Sequence, residues 1–150
     1  MVTTGGPYYV RLAEIDFTQA RRNVEEVFWL PLHIARCVVG KVRPDGTLLF
    51  IGGTGGRRPA AGPLITAFTA MPALTKALAV ELASGRVNLI AAGFVDTPRC
   101  RRREQLRTTL PIRGVVGPAD IAALAVHLMI NTAITGATYD IDGGQQLVEG

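Results

Sequence analysis

The side chains in these 150 residues that can hold a ligand or move a proton gather in a few glycine-bounded segments. The run RVNLIAAGFVDTP, residues 86–98, is a strand pattern that ends at Gly93 and leaves through a polar Asp96-Thr97-Pro98 exit. In open α/β sheets ligands bind beyond the carboxyl ends of parallel strands, so Gly93 would let a ligand approach the backbone and Thr97 would offer it a hydroxyl. A second cluster, Gly52, Gly53, Gly55 and Gly56, surrounds Thr54, whose hydroxyl can hydrogen-bond a carbonyl but is no acid at neutral pH. Tyr8 and Tyr9 follow an N-terminal strand pattern and can serve as a proton donor or as lid and core packing, the second being the commoner use of loop tyrosines. His33 and His127 lie in segments with apolar helical faces and no motif around them, where a packed or solvated imidazole is the usual case. Cys37 and Cys100 are too few and too far apart for a zinc site or a disulfide framework, so no metal is expected and the thiols read as those of a cytoplasmic protein.

Composition narrows the class further. A chain of this length with 48% hydrophobic residues can bury one core, so a single domain over 1–150 is expected. The N-terminus has no signal-peptide pattern and no apolar run approaches the roughly 20 residues of a bilayer span, so the sequence reads as soluble, with no membrane partner. The net charge of +4 is concentrated in Arg99, Arg101, Arg102, Arg103 and Arg107. With Glu104 this run reads first as a solvated helical face, and second as a site for an anionic substrate or a cofactor phosphate. Nucleic acid is disfavoured, because no exposed aromatics or recognition helix accompany the arginines.

The elements that would position these residues alternate. Val2 and Thr3 read as the end of a strand. Asp16 caps a helix with Gln19 as its capping-box partner; the helix runs over 17–40 and should kink or split at Pro31. Asp45-Gly46 makes a turn, and Thr47 to Ile51 is a strand covered on both faces. Residues 63–83 form a helix with an internal Pro72, Val87 to Ala91 a third strand, and 99–109 a helix. Pro118 opens a further helix, and Ala137 to Ile141 is a closing strand. This order argues for right-handed crossovers and a parallel sheet.

The segments TLLFIGGTGG, RVNLIAAGFVDTP and ITGATYDIDGGQQLV together resemble the C-terminal half of a short-chain dehydrogenase/reductase, a family of nicotinamide-dependent oxidoreductases built on a Rossmann sheet. The resemblance covers essentially the whole chain. It implies an α/β, partial Rossmann-like three-layer fold whose parallel sheet corresponds to strands 4 to 7 of the family. The first three strands and the dinucleotide fingerprint would be absent, a truncated domain that starts mid-strand. NAD or NADP is the cofactor it implies, with a carbonyl or alcohol as substrate.

Residue by residue, the resemblance puts Thr3, Thr4 and Gly5 at the turn that lies against the cofactor ribose and Thr97 at the contact to the nicotinamide carboxamide. Gly93 stands beside that contact, after Ala92 in place of the usual proline. The cofactor-binding set is therefore Thr4, Gly5, Gly93 and Thr97. Asn23, in NVEEVF, matches an asparagine that helps organise a water, although an asparagine on a helix is more often simply solvated. The family's acid is a tyrosine assisted by a lysine one helical turn later. Aligning ALTKALAVEL puts Leu64 at the tyrosine and Phe68 at the lysine, and no Ser-Tyr-Lys set exists in any register, since Ser84 is the only serine and Tyr139 has no lysine four residues on. No catalytic residue is assigned. Two readings stand: an oxidoreductase by ancestry that is inactive alone, and a noncatalytic interaction or oligomerisation module. In both, the helices at 17–40 and 63–83 imply a homo-oligomer.

Overall fold

The computed structural model describes residues 1–3, 5–58, 61–98, 100 and 102–148. Thr4, Arg99 and Arg101 lie outside the described residues, so the ribose-side assignment of Thr4 and two members of the arginine run stay there. Four parallel strands, β1 (Val2–Thr3), β2 (Thr47–Gly53), β3 (Arg86–Ala92) and β4 (Thr138–Ile141), form one sheet in the order β1-β2-β3-β4. Val2 pairs with Phe50, Leu49 with Asn88, and Ala91 with Asp140. The expected α/β three-layer architecture with a parallel sheet is what the chain adopts.

Alternation along β2 and β3 builds the layers. Leu48, Phe50, Val87 and Leu89 point to one face, where they meet Ala35, Met71 and Leu78. Leu49 and Ile90 point to the other, against Ala125 and Leu128. A strand buried on both faces is apolar at most positions, which is why β2 and β3 read as continuous rather than alternating runs. Two polar residues of β3 are also buried, Arg86 and Asn88; Asn88 donates to the Ile134 carbonyl at 2.9 Å and accepts from Ala137 N–H at 3.1 Å, satisfying its amide where the chain enters β4.

Several helix expectations need correction. The helix over 17–40 is three pieces: α1 (Phe17–Val24), a π-helical segment Glu25–Trp29, and α2 (Leu30–Val38). The change of helix type falls close to the expected break: the π segment ends at Trp29 and α2 begins at Leu30, so Pro31 sits in the first turn of α2, where a missing N–H is tolerated. Asp16 caps α1 through bonds from Thr18 and Gln19 N–H, at 2.8 and 3.3 Å. The helix over 63–83 begins as a 3-10 segment, Pro63–Thr69, and becomes α3 (Ala70–Glu81) only afterwards, leaving Pro72 in the first turn, where no donor is lost.

Together these two segments make 19 continuous residues, of which an 18-residue stretch has mean hydropathy 1.4, enough by length and composition alone to cross a bilayer, a test that the core helix of a globular protein also passes. Met71, Thr75 and Leu78 of this run are buried, with Met71 and Leu78 in the core against β2 and β3. The arginine-rich helix is shorter than expected, α4 (Arg103–Thr109). The helix opened by Pro118 is α5 (Pro118–Ile130), with Asp120 accepting from Gly117 N–H at 2.7 Å, and α6 (Gln145–Val148) follows β4.

Candidate functional site

The carboxyl ends of β1, β2 and β3 open into a cavity of about 520 Å³. Thr3 and Gly5 line it from the first strand, Gly52 to Gly55 from the second, and Ala92 to Val95 with Thr97 from the third. This is where a parallel sheet collects ligand contacts, since each crossover leaves a loop at the same edge. Of the four residues assigned to a cofactor, Gly5, Gly93 and Thr97 are brought together here.

Gly93 lines the cavity and is also held by packing: a Cβ built on it would fall 2.6 Å from the Asp142 Cβ and 2.7 Å from Gln145 Oε1, so the loop after β4 by itself demands glycine. Gly5 has φ +55°, a conformation that favours glycine, and its missing Cβ would meet Glu26 Cβ at 3.0 Å. The backbone beyond β3 is consumed internally: Gly93 N–H bonds to Ile141 O at 3.0 Å, Phe94 N–H to Gln145 Oε1 at 3.1 Å, and Asp96 N–H to Val116 O at 2.7 Å. What this edge leaves for a ligand is the Thr97 hydroxyl, which has no hydrogen-bond partner among the described residues.

Thr54 is the second such hydroxyl and the more constrained. Its backbone N–H is held by Ala92 O at 2.9 Å, its side chain is 1% exposed, and its Oγ1 is buried without a partner among the described residues. A buried orphan hydroxyl costs roughly 1–3 kcal/mol, a cost that a ligand oxygen in the cavity would remove. Tyr9, 48% exposed, lies against the same turn: a Cβ on Gly55 would sit 3.6 Å from its hydroxyl. Tyr8 is half-buried and does not line the cavity.

Two apolar side chains form this wall among the described residues. In the 3-10 segment residues three apart share a face, so Ile65 and Phe68 line the cavity together, and both pack with Val27. Leu64, placed at the tyrosine position by sequence, is half-buried and not part of the lining. The i, i+4 relation that would align an acid with its partner is therefore lost in conformation as well as in residue type.

Asn23 corrects another expectation: it is buried, not solvated, and its Nδ2 donates to Gly6 O at 2.7 Å while Oδ1 has no partner among the described residues. It ties α1 to the turn that carries Gly5. The glycine cluster is divided between elements, with Gly52 and Gly53 ending β2 and Gly55 and Gly56 inside a single 3-10 turn, Gly55–Arg57. Arg57 pins that turn to Asp140 and Gln146.

The family model described as Enoyl-(Acyl carrier protein) reductase matches residues 31–146. The chain belongs to the short-chain dehydrogenase/reductase family. It is 33% identical over 132 residues to "Short-chain dehydrogenase/reductase ATR9" of Stachybotrys chlorohalonatus, covering 76% of this chain and 52% of that one. To "Dehydrogenase/reductase SDR family member 4" of Sus scrofa it is 35% identical over 115 residues, covering 68% and 41%. The chain thus spans about half the length of the curated relatives it matches. Among solved structures, a small-chain dehydrogenase in complex with NADPH superposes with a TM-score of 0.85 at 26% identity, covering 95% of this chain and 71% of that one.

Thr97, which the sequence resemblance assigned to the carboxamide contact, lines this cavity, together with the apolar Ile65 and Phe68. Sequence reasoning passed over Arg58 and Cys100 as cavity-lining residues. The arginine stands beside the glycine cluster, and that adjacency was its available signal.

Proposed function

We propose that these residues form the nicotinamide- and substrate-facing part of an NAD(P)-dependent oxidoreductase site acting on a carbonyl or alcohol. The observation that carries this reading is the buried, unpartnered Thr54 hydroxyl in the cavity shared with the Thr97 hydroxyl. Thr97 would hold the carboxamide, and a bound dihydronicotinamide supplies the hydride. Thr54 donates a hydrogen bond to the substrate oxygen, polarising the carbonyl. Tyr9 is the only phenol lining the cavity among the described residues, and it is the group that passes a proton to that oxygen. Ile65 and Phe68 supply apolar surface to the same cavity. Family membership and the NADPH complex of a similar structure support the cofactor class.

No glycine-rich turn of the pyrophosphate-binding type occurs in these residues, so NADH and NADPH should bind weakly to the chain by itself. The test is titration of each cofactor followed by nicotinamide fluorescence and saturation-transfer NMR. Weak binding that Thr97→Val reduces and Thr97→Ser keeps supports the reading. Contact confined to adenine protons, with none to nicotinamide, or no binding to a chain folded by circular dichroism, overturns it.

A further inference from the structure

Cys100 is a thiol that the proposed reaction does not use, and it stands in the wall of the cavity beyond β3. Its N–H donates to Thr97 O at 2.9 Å, which ties it to the residue assigned to the nicotinamide. The other free thiol, Cys37 on α2, is exposed and lies outside this cavity, whereas Cys100 is half-buried.

Thr54 shares the cavity and marks it for a ligand oxygen. Its N–H is committed to Ala92 O at 2.9 Å and its carbonyl to Arg57 N–H at 3.1 Å, so what it brings to the cavity wall is its side chain. That side chain is 1% exposed, and Oγ1 has no partner among the described residues. A buried hydroxyl in that state favours an oxygen that accepts its hydrogen bond. Ile51, Ile65, Phe68, Phe94 and Val95 supply apolar surface around the two, and about 520 Å³ is the size of a small-molecule pocket. An uncharged compound with a carbonyl at one end and an electrophilic carbon near it suits this lining.

We infer that Cys100 captures α,β-unsaturated carbonyl compounds in this cavity by conjugate addition, with the carbonyl oxygen on Thr54. The sulfur forms a bond to the β-carbon, and the C=C π pair moves to give an enolate whose oxygen accepts from the Thr54 hydroxyl. The thiol proton, carried by water, ends on the α-carbon. The product is a saturated carbonyl thioether, and no oxidant or reductant is consumed. A hydrogen bond aimed at an oxygen that gains charge along the reaction speeds the addition, an advantage that exposed Cys37 lacks. The inference rests on the proposed function for the contact between Thr54 and a carbonyl alone, and it needs neither cofactor nor turnover.

The experiment follows modification of Cys100 and Cys37 in the whole chain by peptide mass spectrometry, with 2-cyclohexenone and with methyl methanethiolsulfonate. The thiosulfonate needs no carbonyl contact, so its rates normalise for access and thiolate population. The normalised Cys100-to-Cys37 ratio for the enone should be about tenfold or more. Cyclohexanone, which fills the cavity and cannot add, should slow the reaction at Cys100 and not at Cys37. Thr54→Val should bring the ratio near one, and Thr54→Ser should keep it. A ratio near one in the parent chain, a ratio that survives Thr54→Val, or no protection by cyclohexanone overturns the inference. If Thr54→Val does not fold by circular dichroism, the ratio and the protection in the parent chain decide. Enone capture without any nicotinamide contact refutes the proposed function and leaves the capture standing. Nicotinamide contact with a ratio near one does the reverse.

Discussion

Gly93 and Asp142 are packed so closely that the Cβ a larger residue would bring to position 93 would lie 2.6 Å from the Asp142 Cβ. This contact joins the end of β3 to the loop after β4, and it makes the candidate site's floor a consequence of strand packing. Gly93→Ala should therefore destabilise the fold by about 1–3 kcal/mol, the usual cost of overpacking, whether or not a cofactor is present. Thermal melts with and without saturating NADPH measure it. A variant as stable as the parent would show that the loop yields freely.

Asp142 has its own signature in acid. Burial pushes its carboxyl up, but hydrogen bonds from the Gln146 side chain and from the backbone N–H groups of Gln146, Gly144 and Gln145 outweigh that, holding it below its ordinary value of 3.8. A group with a depressed folded pKa binds its proton more readily when unfolded. Its stabilisation is present above the ordinary value and is lost as pH falls through the folded one. Urea melts should show stability declining below about pH 4, with Asp142→Asn less stable by roughly 1–3 kcal/mol at pH 7 and nearly level with the parent at the acid end. A constant difference across this range would remove the carboxylate from the account.

Arg86 does structural work at the opposite end of β3. Buried at 6% exposure, it donates to the carbonyls of Leu128 and Met129 at 2.8 Å each and to Asn131 at 2.9 Å, closing the C-terminal end of α5. A cation there satisfies carbonyls that a helix leaves without donors and complements the helix dipole. Arg86→Met strands those oxygens and should cost about 3 kcal/mol or more. Arg86→Lys should recover only part, because an ammonium cannot reproduce the fork. Chemical denaturation of both variants checks the order.

Asn23 reaches across from α1 to Gly6 O, and Asn23→Ala should lower stability by about 1–2 kcal/mol. It should also raise amide exchange in the turn carrying Gly5, with α5 exchange unchanged. Uniform acceleration everywhere would mean that the bond only stabilises the fold and does not hold that turn.

Catalytic competence separates by a conservative pair. If Thr54 polarises a carbonyl, Thr54→Val should abolish cofactor-dependent turnover in whatever assembly shows it, while Thr54→Ser should retain most of it. Equal rates in the two variants would confine Thr54 to packing.

What the sequence alone determined was the order of elements and the sheet. β2 and β3 declare themselves because strands buried on both faces are apolar at most positions, and Gly93 and Thr97 stand out because strand ends are where side-chain chemistry changes abruptly. Family membership was legible for the same reason, in short segments whose residue types are constrained locally. Tertiary structure decided what each of those residues is for. Gly93 answers to Asp142, a residue 49 positions away in the numbering, and Asn23 to a backbone carbonyl on another element. The π turn before Pro31 and the 3-10 start before α3 are choices made by packing, since local spacing fits a plain α-helix equally well. Thr54 and Cys100 come from segments separated by more than forty residues, and their shared cavity exists only when the chain closes around it. Periodicity reports which face of an element is buried; the distances that make a site depend on which other elements arrive there.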